Sequence, residues 1–128
     1  MIKAYSLKKD GNLKLSSNFR VKEFACQDGS DPIFIDSDLV STLQKIRNHF
    51  GKPVTITSAY RTPTHNKSCG GTTYSQHLYG RAADIKAQGI TPKEVAKYAE
   101  TLLDNGGIGV YNTFVHIDVR STKSRWQG

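Results

Sequence analysis

Apolar residues recur at Leu39, Leu43, Ile46 and Phe50, one face of a helix, between the N-cap pair Asp36-Ser37 and the stop Gly51. Pro53-Val54-Thr55-Ile56-Thr57 instead alternates β-branched and polar positions, which predicts a strand. Arg81 to Lys86 predicts a second, short apolar strand. Thr91-Pro92-Lys93-Glu94 is a capping box with proline at the first helical position, and it opens a predicted helix to about Leu103. Asp104-Asn105-Gly106-Gly107 ends that helix. Ile108–Tyr111 and Phe114–Val119 then flank Asn112-Thr113 as a predicted hairpin. The opening forty residues are rich in turn signals, with Asp10-Gly11-Asn12 and Asp28 to Pro32 as breakers. Residues 60–76, with Pro63, Gly70 and Gly71 among polar neighbours, predict one long loop. Loops of that length between ordered elements are usually functional or disordered.

Composition narrows the class. A chain of 128 residues suits one domain with one core, spanning 1–128. At 37% apolar and 23% charged residues it belongs with ordinary folded proteins. No apolar run approaches the ~20 residues of a membrane span, and the N-terminus has charges without the apolar stretch of a secretory signal. The expected location is therefore the cytoplasm until release, or a virion. The net charge of +7 favours anionic polymers such as nucleic acid or a bacterial wall. Basic residues are not clustered with aromatics, which argues against a specific nucleic-acid partner. Cys26 and Cys69 cannot build a disulfide framework. They read as two free, buried thiols, with a single bridge or a share in a metal site as alternatives.

The chemistry concentrates in two places. His77 and Asp84 flank Gly80, and His116 and Asp118 lie two apart on the last predicted strand, where period two puts both on one face. Two ionisable groups on one face of an apolar strand are costly unless they coordinate or hydrogen-bond something. Two imidazoles and a carboxylate with one open position is the composition of a catalytic zinc site. The spacing alone equally allows a loop histidine and a locally hydrogen-bonded strand pair.

Ser58 to Pro63, His65-Asn66, Gly70-Gly71, Ser75 to Asp84, Gly107 to Tyr111 and Phe114 to Arg120 together resemble the M15 family of zinc peptidases, from about residue 16 to Trp126. That family includes D-alanyl-D-alanine carboxypeptidases and phage endolysins, and the likeness is to its short single-domain branch. The resemblance implies an α+β fold, a small antiparallel sheet backed by helices as in the Hedgehog signalling domain. It implies one Zn²⁺ held by His77, Asp84 and His116, with Arg61 as the cleft arginine. It also implies a peptidoglycan stem peptide as substrate, cut by a zinc-activated water in carboxypeptidase or endopeptidase mode. Arg61 suits a substrate carboxylate or a developing oxyanion. Gln76 and Tyr111 are further candidates for contact with substrate, and a monomer is expected.

One departure from the family pattern matters. Several members carry an acidic base three residues before the third ligand, and Thr113 stands there. Asp118 is the nearest carboxylate, either as general base or as a residue orienting a ligand. His65 is the other candidate for moving protons, with a loop-folding hydrogen bond as its alternative. Arg125 and Trp126 read as a packing anchor. The rival to an enzyme is a non-enzymatic, zinc-containing module that binds the cell wall.

Overall fold

The computed structural model describes residues 1–128. Helix α2 (Ser37–Phe50) forms where the apolar stripe predicts it: Asp36 accepts from the Asp38 N–H at its start, and Gly51 ends it in the left-handed region at φ 62°. Leu39, Leu43 and Ile46 on its inner face are almost fully buried. Helix α4 (Pro92–Leu102) begins with the Thr91 hydroxyl accepting from the Glu94 N–H, and it buries Val95, Ala96 and Ala99. The shorter helices are α1 (Leu7–Asp10) and α3 (Pro63–Ser68). No helix is long and apolar enough to cross a membrane.

Strands β5 (Val54–Ser58), β6 (Ala82–Ala87), β7 (Gly106–Val110), β8 (Val115–Asp118) and β9 (Lys123–Gln127) form one sheet in the order β5-β6-β8-β7-β9. All its pairs are antiparallel except β7 with β9. A separate pair joins β1 (Ile2–Ser6) to β4 (Pro32–Asp36), and β2 (Lys14–Ser16) pairs with β3 (Phe19–Arg20). The protein is thus α+β.

Alternation divides the large sheet. Ala83, Ile85, Val115, Ile117 and Ile108 face the core, with α2 and α4 packed against that side. Each fully buried Ile or Val there contributes about 1.5–3 kcal/mol of transfer free energy. The opposite face is polar. Register places Ser58, Asp84, His116, Gly109 and Trp126 in one row across all five strands. Ala82, Asp118, Gly107 and Ser124 form the neighbouring row.

Two expectations need correction. The stretch 60–76 is not one loop: Thr62 caps α3, with Pro63 in its first turn, and a 3₁₀ turn starts at Gln76. The second concerns the thiols. Both cysteines are free, but only Cys26 is buried, and Cys69 is exposed where α3 ends.

Candidate metal centre

His77 lies on the 3₁₀ turn Gln76–Tyr79, which Ser75 caps and Gly80 ends at φ 72°. A Cβ at Gly80 would sit 2.2 Å from the Phe34 carbonyl oxygen, so only glycine lets the turn press against β4. The Gly80 carbonyl accepts from the Asp36 N–H at 2.9 Å and fixes that contact. Asp84 comes from β6 and His116 from β8, as directly paired neighbours. All three side chains are buried, and one ligand atom from each lies within 4.8 Å of the other two.

The ring nitrogens are committed by their other partners. His77 Nδ1 is 2.6 Å from the Ala59 carbonyl oxygen, which can only accept, so Nδ1 carries the proton and Nε2 faces Asp84. His116 Nε2 donates to Asp118 Oδ2 at 2.7 Å, which leaves Nδ1 facing Asp84. The distances to Asp84 Oδ1 are 3.4 Å from His77 Nε2 and 3.1 Å from His116 Nδ1. Ligands at zinc distances on a tetrahedron stand about 3.3 Å apart. Neutral imidazoles here point two lone pairs at a carboxylate oxygen, a repulsion that a cation relieves. The donor set therefore fits zinc.

The titration behaviour has the same origin. Burial opposes a charge on His116, but its hydrogen bonds to Asp118 and Asp84 outweigh that and raise its pKa above 6.5. Burial pushes the Asp84 carboxyl up, yet in the absence of metal the His116 and His77 rings, which donate to it once protonated, hold it well below the ordinary carboxylate range.

Asp118 is fully buried, on the far side of the His116 ring from Asp84. Its Oδ1 accepts from the Gly107 N–H at 2.8 Å, the Arg120 N–H at 3.1 Å and Arg120 Nε at 2.8 Å. Its Oδ2 accepts from Arg120 Nη2 at 2.6 Å as well as from His116. Gly107 is required beside it, since a Cβ there would lie 2.1 Å from Oδ2. Burial works against the charge, but the hydrogen bonds from His116 and Arg120 keep the carboxyl ionised well below its usual range.

These three side chains line a cleft of about 480 Å³. Arg61 lies on one side, donating from Nε to Ser58 Oγ at 3.1 Å and from Nη2 to Asp84 Oδ2 at 3.5 Å. Tyr111, Phe114 and Trp126 form an aromatic wall opposite. The Trp126 ring centre is 5.0 Å from that of His116, and its indole N–H donates to the Tyr111 hydroxyl at 2.9 Å. Gly109 makes this possible: the indole lies across it, where a Cβ would stand 2.4 Å from the ring. Gln76 also lines the cleft, and its buried Oε1 has no partner within the protein.

The structure thus gathers His77, Asp84, His116, Arg61, Gln76 and Tyr111 in one place, with Asp118 immediately behind. His65 does not join them. Its Nε2 is 3.3 Å from Cys69 Sγ, an arrangement that folds the end of α3. Thr113 is exposed at the β7–β8 turn and does not line the cleft. Arg125 does anchor the last strand, through the carbonyls of Gly106 and Leu103. Trp126 does more than pack, and no spacing rule in its own segment signals that role. Arg120 was equally silent as a partner, although it lies two residues from Asp118.

Over 46 residues, 35% of this chain, the sequence is 44% identical to a zinc D-Ala-D-Ala carboxypeptidase of Streptomyces albus G, covering 18% of that protein. Over 104 residues, 73% of this chain, it is 29% identical to a protein of Haemophilus influenzae named "Probable peptidoglycan L,D-endopeptidase MepK", covering 55% of it. The chain therefore spans about half, or less, of these curated relatives. The Peptidase M15 family model matches residues 16–118, a stretch that takes in Arg61 and every group converging on Asp84. The chain belongs to the peptidase M15 family.

Proposed function

We propose that the protein is a zinc-dependent peptidase that hydrolyses peptide bonds in peptidoglycan stem peptides, acting at the cell wall after release or as part of a virion. One observation carries this reading. The outward-facing atoms of His77, Asp84 and His116 converge with both histidine tautomers set by second partners, an arrangement typical of imidazole ligands prepared for a metal. Zinc held by three protein ligands keeps an open position, supplies a nucleophilic water near neutral pH and polarises a carbonyl.

The chain's own groups do the rest. Arg61 is fixed on the cleft side of Asp84 and offers its remaining N–H donors to a substrate carboxylate or to the negative charge that develops on the carbonyl oxygen. Gln76 lines the same cleft and is a further candidate for contact with substrate. Trp126 and Tyr111 give an aromatic wall against the His116 ring on which a substrate side chain can rest. Asp118 holds the His116 tautomer and ring orientation, since its oxygens are already occupied on the side away from the cleft.

Asp84 is the one carboxylate lining the cleft. With Thr113 at the position of the family base, that observation favours the second reading, a zinc-containing wall-binding module. Incubating the purified protein with muropeptides, with and without a chelator, and following the products by mass spectrometry separates the two. Cleavage that stops with chelator and returns with zinc supports the peptidase. Binding without cleavage supports the module.

A further inference from the structure

Asn66 is buried, 4% exposed, in the middle of the short exposed helix α3. Its Oδ1 accepts from Arg61 Nη1 at 3.3 Å, and its Nδ2 donates to the Thr72 carbonyl at 2.8 Å. These two partners settle the amide orientation, because the guanidinium only donates and the carbonyl only accepts. The Asn66 carbonyl also receives the Gly71 N–H at 2.9 Å. A Cβ on Gly71 would lie 2.0 Å from Asn66 Oδ1, so glycine is needed there for space rather than for backbone conformation.

Two features of the cleft meet at this one side chain. Arg61 is one of the cleft's two cations. The segment 70–75 forms part of its wall, and Ser75 at the end of that segment caps the turn that carries His77. We propose that Asn66 is a positioning residue that latches the cleft wall 70–75 to the Arg61 guanidinium, so that substrate meets both in one fixed arrangement. Aspartate at this position accepts from Arg61 but gives Thr72 no proton. Alanine does neither. Asparagine is the residue of this length that donates and accepts at once.

The inference rests on the role of Arg61 in the peptidase reading, and the test keeps the two apart. In the zinc-loaded protein, Asn66→Ala lowers kcat/KM by about tenfold, the usual scale for coupled neighbours. In an Arg61→Ala background the same change costs less than about twofold. Zinc stays at one per chain in every variant. An equal loss in both backgrounds means that Asn66 acts only through the fold and overturns the latch. A normal kcat/KM for Arg61→Ala overturns the role of Arg61, and the latch with it.

Amide hydrogen exchange across 70–75 provides a readout that needs no turnover. It quickens in Asn66→Ala, Asn66→Asp and Gly71→Ala and stays at the wild-type rate in Arg61→Ala. Unchanged exchange in Asn66→Asp, which preserves size and the acceptor for Arg61, overturns the proposal even if the alanine variant does not fold. If the wild type cuts no muropeptide, the peptidase reading fails and the exchange result alone decides whether the wall is latched.

Discussion

Replacing Asp118 with asparagine exchanges one carboxylate oxygen for an NH₂ group, and no orientation of the new amide satisfies its neighbours. If the nitrogen takes the place of Oδ1, it faces three donors: the N–H of Gly107 and the backbone N–H and Nε of Arg120. If it takes the place of Oδ2, it faces Arg120 Nη2 and His116 Nε2. His116 then accepts at Nε2 and its proton moves to Nδ1, the atom that faces Asp84. In the second, less costly orientation one donor, Arg120 Nη2, loses its acceptor, at about 1–3 kcal/mol when buried. Arg120 is about a quarter exposed, so water recovers part of that loss. The expected net cost is about 1–2 kcal/mol. For a domain of this size that lowers Tm by roughly 5 °C. Zinc affinity falls by about 10–100-fold, because the ligand is no longer held in its coordinating tautomer. Thermal melts of the metal-free protein and zinc competition against a chromogenic chelator measure both effects. The opposite pattern would refute this reasoning: normal Tm and zinc affinity, with turnover at saturating zinc down by the ~10²–10⁴ that a general base supplies.

Three further outcomes follow from the same geometry. Gly109→Ala places a methyl group within the Trp126 ring, and relieving that overlap costs about 1–3 kcal/mol and moves the indole off His116; because the chain has one tryptophan, its emission spectrum reports the movement directly, and an unshifted spectrum would count against the stacked wall. Acid should weaken zinc binding early: with the His116 pKa raised above 6.5, protons compete as soon as the pH falls through that raised value. The metal-free fold responds in the reverse sense, since the stability from protonated His116 is fully present below the unfolded-state value near 6.5 and is lost as pH rises through the folded value. Zinc affinities and metal-free melts across this range check both signs, and a flat affinity profile would show that His116 is not a ligand.

How far these features can be read from sequence depends on how local their causes are. Helix α2 and the β6 and β8 strands follow from apolar period and caps within their own segments. So does the shared face of His116 and Asp118. Helix α3 escaped notice although Thr62-Pro63 repeats the Thr91-Pro92 start of α4. An exposed helix of six residues has no apolar stripe to confirm its cap. Strand β1 pairs with β4 across some thirty residues of chain, and no local pattern specifies that register. The Asp118 assignment turned on Gly107 and Arg120, and the aromatic wall on Gly109, each a fit between neighbouring strands. Position and residue type pointed to His77, Asp84 and His116, which the fold brings together, whereas the groups that support them needed the sheet register.

The central claim is that His77, Asp84 and His116 hold one zinc ion. X-ray absorption at the zinc edge of the purified, zinc-loaded protein tests it most directly. The account predicts one zinc per chain in a light-atom shell of nitrogen and oxygen at about 2.0–2.2 Å, with imidazole scattering from two histidines and no sulfur. The His116→Ala variant should lose the ion. A sulfur shell near ~2.3 Å would place a cysteine on the metal, and that result, or an unchanged zinc content in His116→Ala, would contradict the account.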